Sequence, residues 1–199
     1  MVVLSEQSLG AERSASIVQN PLPGLKLVRG DSVMPITLTE QQERWHEIVR
    51  DPALRDLPYK VETNEHGQLV LSPHKNRHSK QQKALQKCLD AHAPRGESYQ
   101  EYALVTSKGI KAPDVVWMSP DREREMDATG DPSTLAPEIC VEVMSDSNTE
   151  AEMEEKRALY REIGAEEVWI VDEEGRIRFF ADEEQDQSGI APECPDQLT

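Results

Sequence analysis

Cysteine is scarce in this chain, and the spacing of the few present argues against two structural classes. The 199 residues include three cysteines, Cys88, Cys140 and Cys194. Their count is odd and no two have CxxC spacing, so the sequence predicts neither a disulfide framework nor a zinc site. Unpaired cysteines are typical of a reducing cytosol, and we therefore expect a cytoplasmic protein.

Positive charge and long apolar runs are also scarce. Lys and Arg number 22 against 38 Asp and Glu, and the formal net charge is −16 at pH 7. This deficit argues against a protein whose main task is non-specific binding of nucleic acid, because phosphate contacts need Lys and Arg. It leaves open a site in which metal ions bridge carboxylates to a phosphate.

No stretch approaches the roughly 18 to 20 apolar residues of a membrane span, and the N-terminus lacks a secretory hydrophobic region, so we expect no membrane partner.

The remaining composition favours one globular domain between two weakly structured ends. Hydrophobic residues make up 37% and charged residues 30% of the chain, a polar but globular balance. Residues 1–33 show no periodicity, and we predict a disordered leader there, either dispensable or the result of a misassigned start codon. A domain is predicted for residues 34–181. No Lys or Arg follows Arg178, so residues 182–199 are predicted to form a loose acidic tail.

The most informative stretch is Ala136–Asp172, which has the pattern of a strand, a turn, a helix and a second strand. In the run EICVEVM, alternation places Glu142 on one face between Cys140 and Met144, while the other face is entirely apolar. Both faces are therefore apolar around Glu142, which is typical of a central strand covered on both sides. A carboxylate in that position is costly unless a metal ion or another cation compensates for its charge.

The helix of this stretch supplies one such cation. Thr149 and Glu152 form a capping-box pattern that predicts the helix start, and Gly164 is placed to end the helix. Lys156 falls within the apolar stripe of the helix, which consists of Met153, Leu159, Tyr160 and Ile163. Such a lysine either pairs with Glu152 at the surface or reaches a buried carboxylate. Spacing alone favours the surface pair, because lysine side chains often cover apolar surface.

Shorter patterns predict the other elements. One helix is expected to begin at a capping box of Thr39 with Gln42, and another at His78. A hairpin is expected around a turn at residues 64–67. The remaining predicted elements are strands at 99–106, 112–118, 167–171 and 176–180, and a charged loop or irregular helix at 119–134.

Three polar residues in these elements have both a structural and a functional interpretation. Asp114 lies at the mouth of a strand; an Asp beside a buried Glu can build a hard-cation site, although Asp is also a common turn residue. Glu62 fits an exposed strand residue from its pattern alone. His78 fits a polar residue at a helix start, because no second His or Cys lies at ligand spacing.

Taken in order, several of these motifs carry a family resemblance. PDVVW begins at Pro113, APEICVEVMSDS at Ala136 and KRALYREIGAEEVWIVD at Lys156, and the hairpin YKVETNEHGQLVLSP precedes them. Together they resemble the Uma-type putative restriction endonucleases of the PD-(D/E)xK nuclease superfamily, over about residues 35–180. The ordered set is specific, whereas each motif alone is not. The resemblance implies an α/β (α+β) fold with a restriction-endonuclease-like core, in which helices flank a central mixed β-sheet, preceded by an N-terminal helix and a β-hairpin.

The resemblance also implies the catalytic residues. Asp114 matches the acidic residue of the PD motif, and Glu142 matches the acidic residue of the following strand. The superfamily lysine should stand two residues after Glu142, where this chain has Met144, and the Uma-type pattern is also apolar there. A lysine from the next helix can supply the missing amine, so the resemblance reverses the earlier preference and favours a catalytic Lys156.

The implied chemistry is metal-dependent hydrolysis of DNA by an endonuclease. Asp114 and Glu142 would hold Mg²⁺, with Mn²⁺ as a substitute and the backbone carbonyl of Val143 as a further ligand. Lys156 would orient the attacking water or stabilise the developing charge. The two carboxylates should lie on neighbouring strands, within about 4 to 6 Å, and their repulsion should destabilise the metal-free fold.

Two second-tier residues and two other function classes complete the predictions. Glu62 matches a glutamate that the family's hairpin carries near the site, and His78 follows that hairpin. The chain could instead be a nuclease-fold module that binds nucleic acid or regulates without turnover. It could also be a small homodimeric structural or regulatory protein, in which Glu142 is merely paired with Lys156.

Overall fold

The computed structural model of the chain describes residues 2–3, 34–54, 57–73, 76–145 and 148–198. The leader predicted for residues 1–33 lies outside this part of the chain, except for Val2–Val3, whose backbone forms a short strand. None of the helices within the described ranges is long and apolar enough to cross a membrane.

Helices and strands alternate along the described chain, which gives a mixed α/β fold. The helices are α1 (Leu38–Arg50), α2 (Asn76–His92), α3 (Pro120–Asp127) and α4 (Glu150–Glu162), and the strands are β1 (Val2–Val3), β2 (Tyr59–Thr63), β3 (Leu69–Pro73), β4 (Glu97–Gln100), β5 (Leu104–Thr106), β6 (Gly109–Lys111), β7 (Val115–Met118), β8 (Ile139–Val143), β9 (Glu167–Val171), β10 (Ile177–Phe180) and β11 (Glu184–Gln185).

A six-stranded sheet in the order β11-β10-β9-β8-β7-β4 forms the centre of the domain. The pair β8–β9, which α4 connects, is parallel, and the other neighbouring pairs are antiparallel. Every residue of β7, β8 and β9 is buried, as their apolar sequences predict. The predicted fold class, a central mixed sheet between helices, is confirmed.

The two faces of the sheet are covered by different helices. Leu85 and Leu89 of α2 pack on the face that carries the odd-numbered residues of β8, whereas Met153 and Tyr160 of α4 pack on the face that carries Cys140. This arrangement follows from the alternation read in the sequence, because successive strand residues point to opposite faces. Glu142 shares the face of Cys140 and is therefore directed toward α4.

The predicted hairpin is also present and docks against the short β5–β6 ribbon. Strands β2 and β3 pair antiparallel, and β1 adds to the free edge of β3. The side-chain hydroxyl of Thr63 accepts a 2.8 Å hydrogen bond from the backbone N–H of Ile110. Gly109 has φ +95°, and a Cβ there would lie 2.4 to 2.5 Å from the backbone of Thr63 and Asn64. Only glycine allows the start of β6 to approach the backbone at the end of β2 this closely. This contact holds the hairpin beside the main sheet.

The element boundaries differ from prediction at two places. The capping box of α1 consists of Thr37 and Glu40 rather than Thr39 and Gln42. The side-chain amide of Gln42 instead donates to backbone carbonyls near residues 129–132, so it serves tertiary packing. The strand predicted over 99–106 is interrupted at Glu101, whose φ of 53° cannot continue a strand.

The C-terminal segment packs on the domain instead of forming the loose tail that its charge suggested. Ala191 and Cys194 are buried in the same cluster as Trp169. The carboxylate of Glu167 anchors the segment, because it accepts hydrogen bonds from Trp169 Nε1, Ser188 Oγ and the backbone N–H groups of Gly189 and Ile190. The acidic charge of the segment suggested a loose tail, but its few apolar residues, such as Ala191 and Cys194, enter the core.

Cys88 and Cys194 form a disulfide that joins α2 to this segment, so the prediction of no disulfide is wrong. The two cysteines lie 106 residues apart and their Cα atoms are 6.0 Å apart. An odd count does not exclude one pair, and such a long-range pairing cannot be read from spacing. Cys140 is the free and buried thiol. Because two of the three cysteines are paired, the cysteines no longer favour a reducing compartment.

Reduction of this disulfide should lower the free energy of unfolding by about 2 to 4 kcal/mol, because the link restricts a long loop in the unfolded chain. Urea unfolding with and without a thiol reductant measures the change. In Cys194→Ala the reductant should have no effect, which controls for its action elsewhere. Identical unfolding curves for the oxidised and reduced wild type would contradict the prediction.

Candidate active site

Two carboxylates meet where β7 and β8 lie side by side. The register pairs Val115 with Val141, so Asp114, just before β7, lies beside the end of β8. The Asp114 N–H donates to the carbonyl of Val141 at 2.9 Å, and Asp114 Oδ2 accepts the N–H of Val143 at 2.7 Å. Both Asp114 and Glu142 line one cavity, as expected for neighbouring strands.

A third carboxylate reaches the same place from the hairpin. Glu62 of β2 is 6% exposed, and its Oε1 accepts the N–H of Ala112 at 3.1 Å. Its alternation pattern suggested an exposed residue, but the docking of β2 on β6 buries this face of the hairpin. Glu62 therefore lies at the site, as the family resemblance implied.

Lys156 reaches the buried carboxylates rather than the surface. Its Nζ donates to Glu62 Oε1 and to Glu142 Oε1, each at 3.0 Å. The alternative partner, Glu152, instead accepts the N–H of Thr149 in the predicted capping box of α4. The apolar stripe around Lys156 packs on the sheet, so it places the ammonium directly over the face that carries Glu142.

Lys60 is a second lysine at the site, and sequence analysis missed it. Its Nζ lies 2.7 Å from Asp114 Oδ1, 3.6 Å from Glu142 Oε2 and 3.8 Å from Glu62 Oε1. The sequence does show that Lys60 and Glu62 lie on the same strand face, because they are two residues apart. It does not show that this face packs against the main sheet, so it could not place Lys60 at the site.

Two further side chains complete the carboxylate environment. Tyr160, which the sequence assigned to the apolar stripe of α4, donates its hydroxyl to Glu142 Oε1 at 2.5 Å. His78 Nε2 lies 3.0 Å from Asp114 Oδ1, so the first turn of α2 contributes to the site. His78 is thus more than the polar helix-start residue that its spacing favoured.

The ion pairs control the protonation of these groups. Burial raises the pKa of the Glu62 carboxyl, but the charges of Lys156, Lys60 and Lys111 outweigh burial and lower that pKa to about 2. Burial likewise opposes ionisation of Asp114, yet Lys60 and His78 hold its pKa well below the usual range. Burial lowers the pKa of Lys156, but Glu142 and Glu62 reverse the effect and raise it. Glu62, Asp114 and Lys156 are therefore ionised at neutral pH.

Acid should therefore destabilise the fold through Glu62. Its pKa falls from an ordinary 4.5 to about 2 in the fold. A lowered folded-state pKa contributes stability that is complete above about pH 4.5 and is lost as the pH falls toward 2. Urea unfolding of wild type and Glu62→Gln at pH 7, 4 and 3 checks this: wild type should lose more stability between pH 7 and pH 3 than the variant. Parallel pH profiles would contradict the assignment.

The cavity that these groups line is about 320 Å³ in volume, and most of its lining residues are polar or charged. Its lining also includes Ser72, Lys108, Lys111, Ser145 and Asn148, together with the carboxylates of Glu65, Glu152 and Glu155. The carboxylates of Asp114 and Glu142 beside the ammonium of Lys156 suit an anionic ligand that is bridged to the protein by a cation.

The site fits a hard divalent cation by its donors. Within the described ranges, no three His, Cys, Asp or Glu side chains form a ready metal-binding group. Mg²⁺, however, is usually held through one or two carboxylates, which Asp114 and Glu142 provide. The ammonium of Lys60 lies between those two carboxylates, which shows that this point accommodates positive charge. The residues present therefore suit Mg²⁺ or Mn²⁺.

The family model Uma2, described as "Putative restriction endonuclease", matches residues 41–194. The chain belongs to the Uma2 family. The Uma2 match begins in α1 and includes the hairpin, the central sheet, α4 and the C-terminal segment as far as Cys194. It therefore contains all of the site residues described above.

A solved structure shares the Uma2 chain's fold. It is described as a putative nuclease belonging to DUF820 from Anabaena variabilis ATCC 29413, with a TM-score of 0.55 and 16% sequence identity. The similarity covers 76% of this chain and 83% of that one. At this identity the comparison shows the fold alone. No curated protein matches the chain.

Proposed function

We propose that this Uma2 member is an endonuclease that hydrolyses DNA phosphodiester bonds with the help of Mg²⁺ or Mn²⁺. The observation that carries the proposal is the convergence of Asp114, Glu142 and Lys156, from three separate elements, at the base of one polar cavity. The family description, a restriction endonuclease, supports DNA as the substrate.

Asp114 and Glu142 would hold the cation, and the backbone carbonyl of Val143 is the proposed third ligand. The cation would lower the pKa of a water and neutralise charge on the phosphate. Asp114 is held in position by the N–H of Val143 and by His78, so its carboxylate is oriented before the cation arrives. The hydroxyl of Tyr160 orients Glu142 in the same way.

In the superfamily a lysine two residues after the strand glutamate usually supplies a positive charge. Here Lys156 of α4 would supply it, because Met144 stands at that position. Because Glu62 and Glu142 raise its pKa, Lys156 stays protonated and can donate to a phosphate oxygen or to the attacking water. A fixed ammonium aimed at developing negative charge stabilises the transition state without reorganisation. Glu62 would act as a positioning residue, since it accepts from Lys156 Nζ at 3.0 Å.

One observation favours a second candidate, a nuclease-fold protein that binds nucleic acid without turnover. Each of the three carboxylates already has a lysine partner, so none of them depends on a metal ion for a cationic contact. In that case Lys60 and Lys156 would be permanent structural partners.

Incubation of pure protein with supercoiled plasmid, in Mg²⁺, in Mn²⁺ or in a chelator, separates the two functions. We expect nicked or linear DNA in the two metal reactions and intact plasmid with chelator. Intact plasmid in every reaction, together with a salt-sensitive mobility shift, would replace hydrolysis with binding.

A further inference from the structure

We propose that Lys60 is a built-in counter-cation that occupies the metal position of the metal-free site and must leave it when a divalent cation binds. This inference rests on the proposed function, because it concerns the same two carboxylate ligands. It adds a residue that competes with the metal, and it assigns Lys60 a role different from that of Lys156.

The position of the Lys60 ammonium distinguishes it from the other lysine. Lys60 Nζ contacts Asp114 Oδ1 at 2.7 Å and Glu142 Oε2 at 3.6 Å, so it bridges the two proposed ligands. Lys156 uses the other oxygen of Glu142 and the hairpin carboxylate of Glu62. A cation between Asp114 and Glu142 would therefore compete with Lys60 for both carboxylates, whereas Lys156 makes no ion pair with Asp114 among the described contacts.

The charges at the site make simultaneous occupancy unfavourable. Lys60 and Lys156 already place two positive charges against the carboxylates of Asp114, Glu62 and Glu142, and Lys111 lines the same cavity. A divalent cation that entered beside Lys60 would place like charges a few ångströms apart in a buried site, where water screens them weakly. Removal of Lys60 from between the ligands restores an attractive site for the cation.

The structure provides space for Lys60 to move. Besides the site cavity, Lys60 borders a second cavity of about 400 Å³. Its walls are mainly apolar and include Trp45, Leu57 and Tyr59. A lysine has a flexible four-carbon side chain that packs along apolar surface while its ammonium turns toward water. On this account the ammonium leaves the carboxylates and turns toward this second cavity when a divalent cation binds.

Calorimetric titration with Mn²⁺ and with Mg²⁺ tests the inference without reference to cleavage. In Lys60→Met and in Lys60→Gln, which retains a hydrogen-bond donor in case the first variant does not fold, both cations should bind at least tenfold more tightly than in wild type. The metal-free variants should melt at lower temperature, and metal should raise their melting temperature by more than it raises that of wild type.

Lys108→Met is the matched control. Lys108 lines the same cavity but is exposed and pairs with Glu155, so this variant also removes one positive charge without touching the ligands. Its metal affinity should remain within about twofold of wild type, given the weak effect of exposed charges. An equal gain in Lys108→Met would show a general charge effect and overturn the role of Lys60.

The remaining outcomes separate this inference from the proposed function. Metal binding by wild type that is unchanged or weaker in both Lys60 variants would overturn the inference and leave metal-dependent hydrolysis intact. Absence of binding in wild type and in both variants would overturn the inference and the metal part of the proposed function together. Binding that appears only in the variants would support competition by Lys60.

Discussion

Lys156→Met should lower the rate of metal-dependent DNA cleavage by about 100-fold or more, because it removes a charge aimed at the transition state. Metal binding should survive, since the proposed ligands are oxygens of other residues. The variant also leaves Glu62 and Glu142 without one cation, so circular dichroism must accompany the rate measurement to show that the variant is folded.

Arg157→Met is the matched control for this prediction. Arg157 is the next residue of α4 and carries the same charge, but its guanidinium stacks 4.3 Å from the ring centre of Phe180, outside the site cavity. Its rate should stay close to wild type. Cleavage by folded Lys156→Met at the wild-type rate would assign Lys156 a structural role only.

Asp114→Asn should destabilise the metal-free protein by about 3 to 5 kcal/mol, the usual cost of removing one partner from a buried ion pair. Lys60, His78 and the N–H of Val143 all direct donors at the Asp114 carboxylate. An asparagine offers one acceptor oxygen and one NH₂ group, so at least one donor would face another donor. Urea unfolding measures the loss, and Mg²⁺ should no longer raise the melting temperature.

Asp121→Asn supplies the comparison for that variant. Asp121 is exposed on α3 and pairs only with Arg124 in the described contacts, so the same chemical change should cost roughly 0.5 kcal/mol or less. If the two Asn variants unfolded at similar urea concentrations, the hydrogen bonds assigned to Asp114 would not hold the fold together.

The buried position of Glu142 and the start of α4 could be predicted from local patterns, namely an apolar strand and a capping box. The same patterns placed Lys156 in the apolar stripe of α4 but favoured a surface pair for it. Each of these local patterns lies within a window of about 11 to 18 residues, over which periodicity is informative. The assignment of Asp114 and Lys156 to the site came from the family resemblance.

The residues that were missed depend on long-range packing. Lys60 enters the site only because the hairpin docks against β6, where Gly109 permits close approach. Cys88 meets Cys194 across 106 residues, and the C-terminal segment packs through Glu167. These contacts depend on the assembled fold, so no pattern within either partner segment contains them.

The structure also changes the expected effect of Asp114 and Glu142 on the stability of the metal-free fold. The pair Asp114 and Glu142 was expected to destabilise the metal-free fold through repulsion. Lys60 lies between the two carboxylates and offsets that repulsion. Neutral variants of either carboxylate would leave Lys60 without one of its partners, so they should lower the stability of the metal-free protein.

The most direct test of the account is single-turnover cleavage of DNA in Mg²⁺ by wild type, Glu142→Gln and Glu138→Gln. Glu138 is a buried glutamate that directly precedes β8, on the same face, but it accepts hydrogen bonds from Ser119 away from the cavity. We expect cleavage by wild type and Glu138→Gln, and a rate at least about 100-fold lower for Glu142→Gln. Cleavage by Glu142→Gln at the wild-type rate, or no cleavage by wild type, would contradict the account.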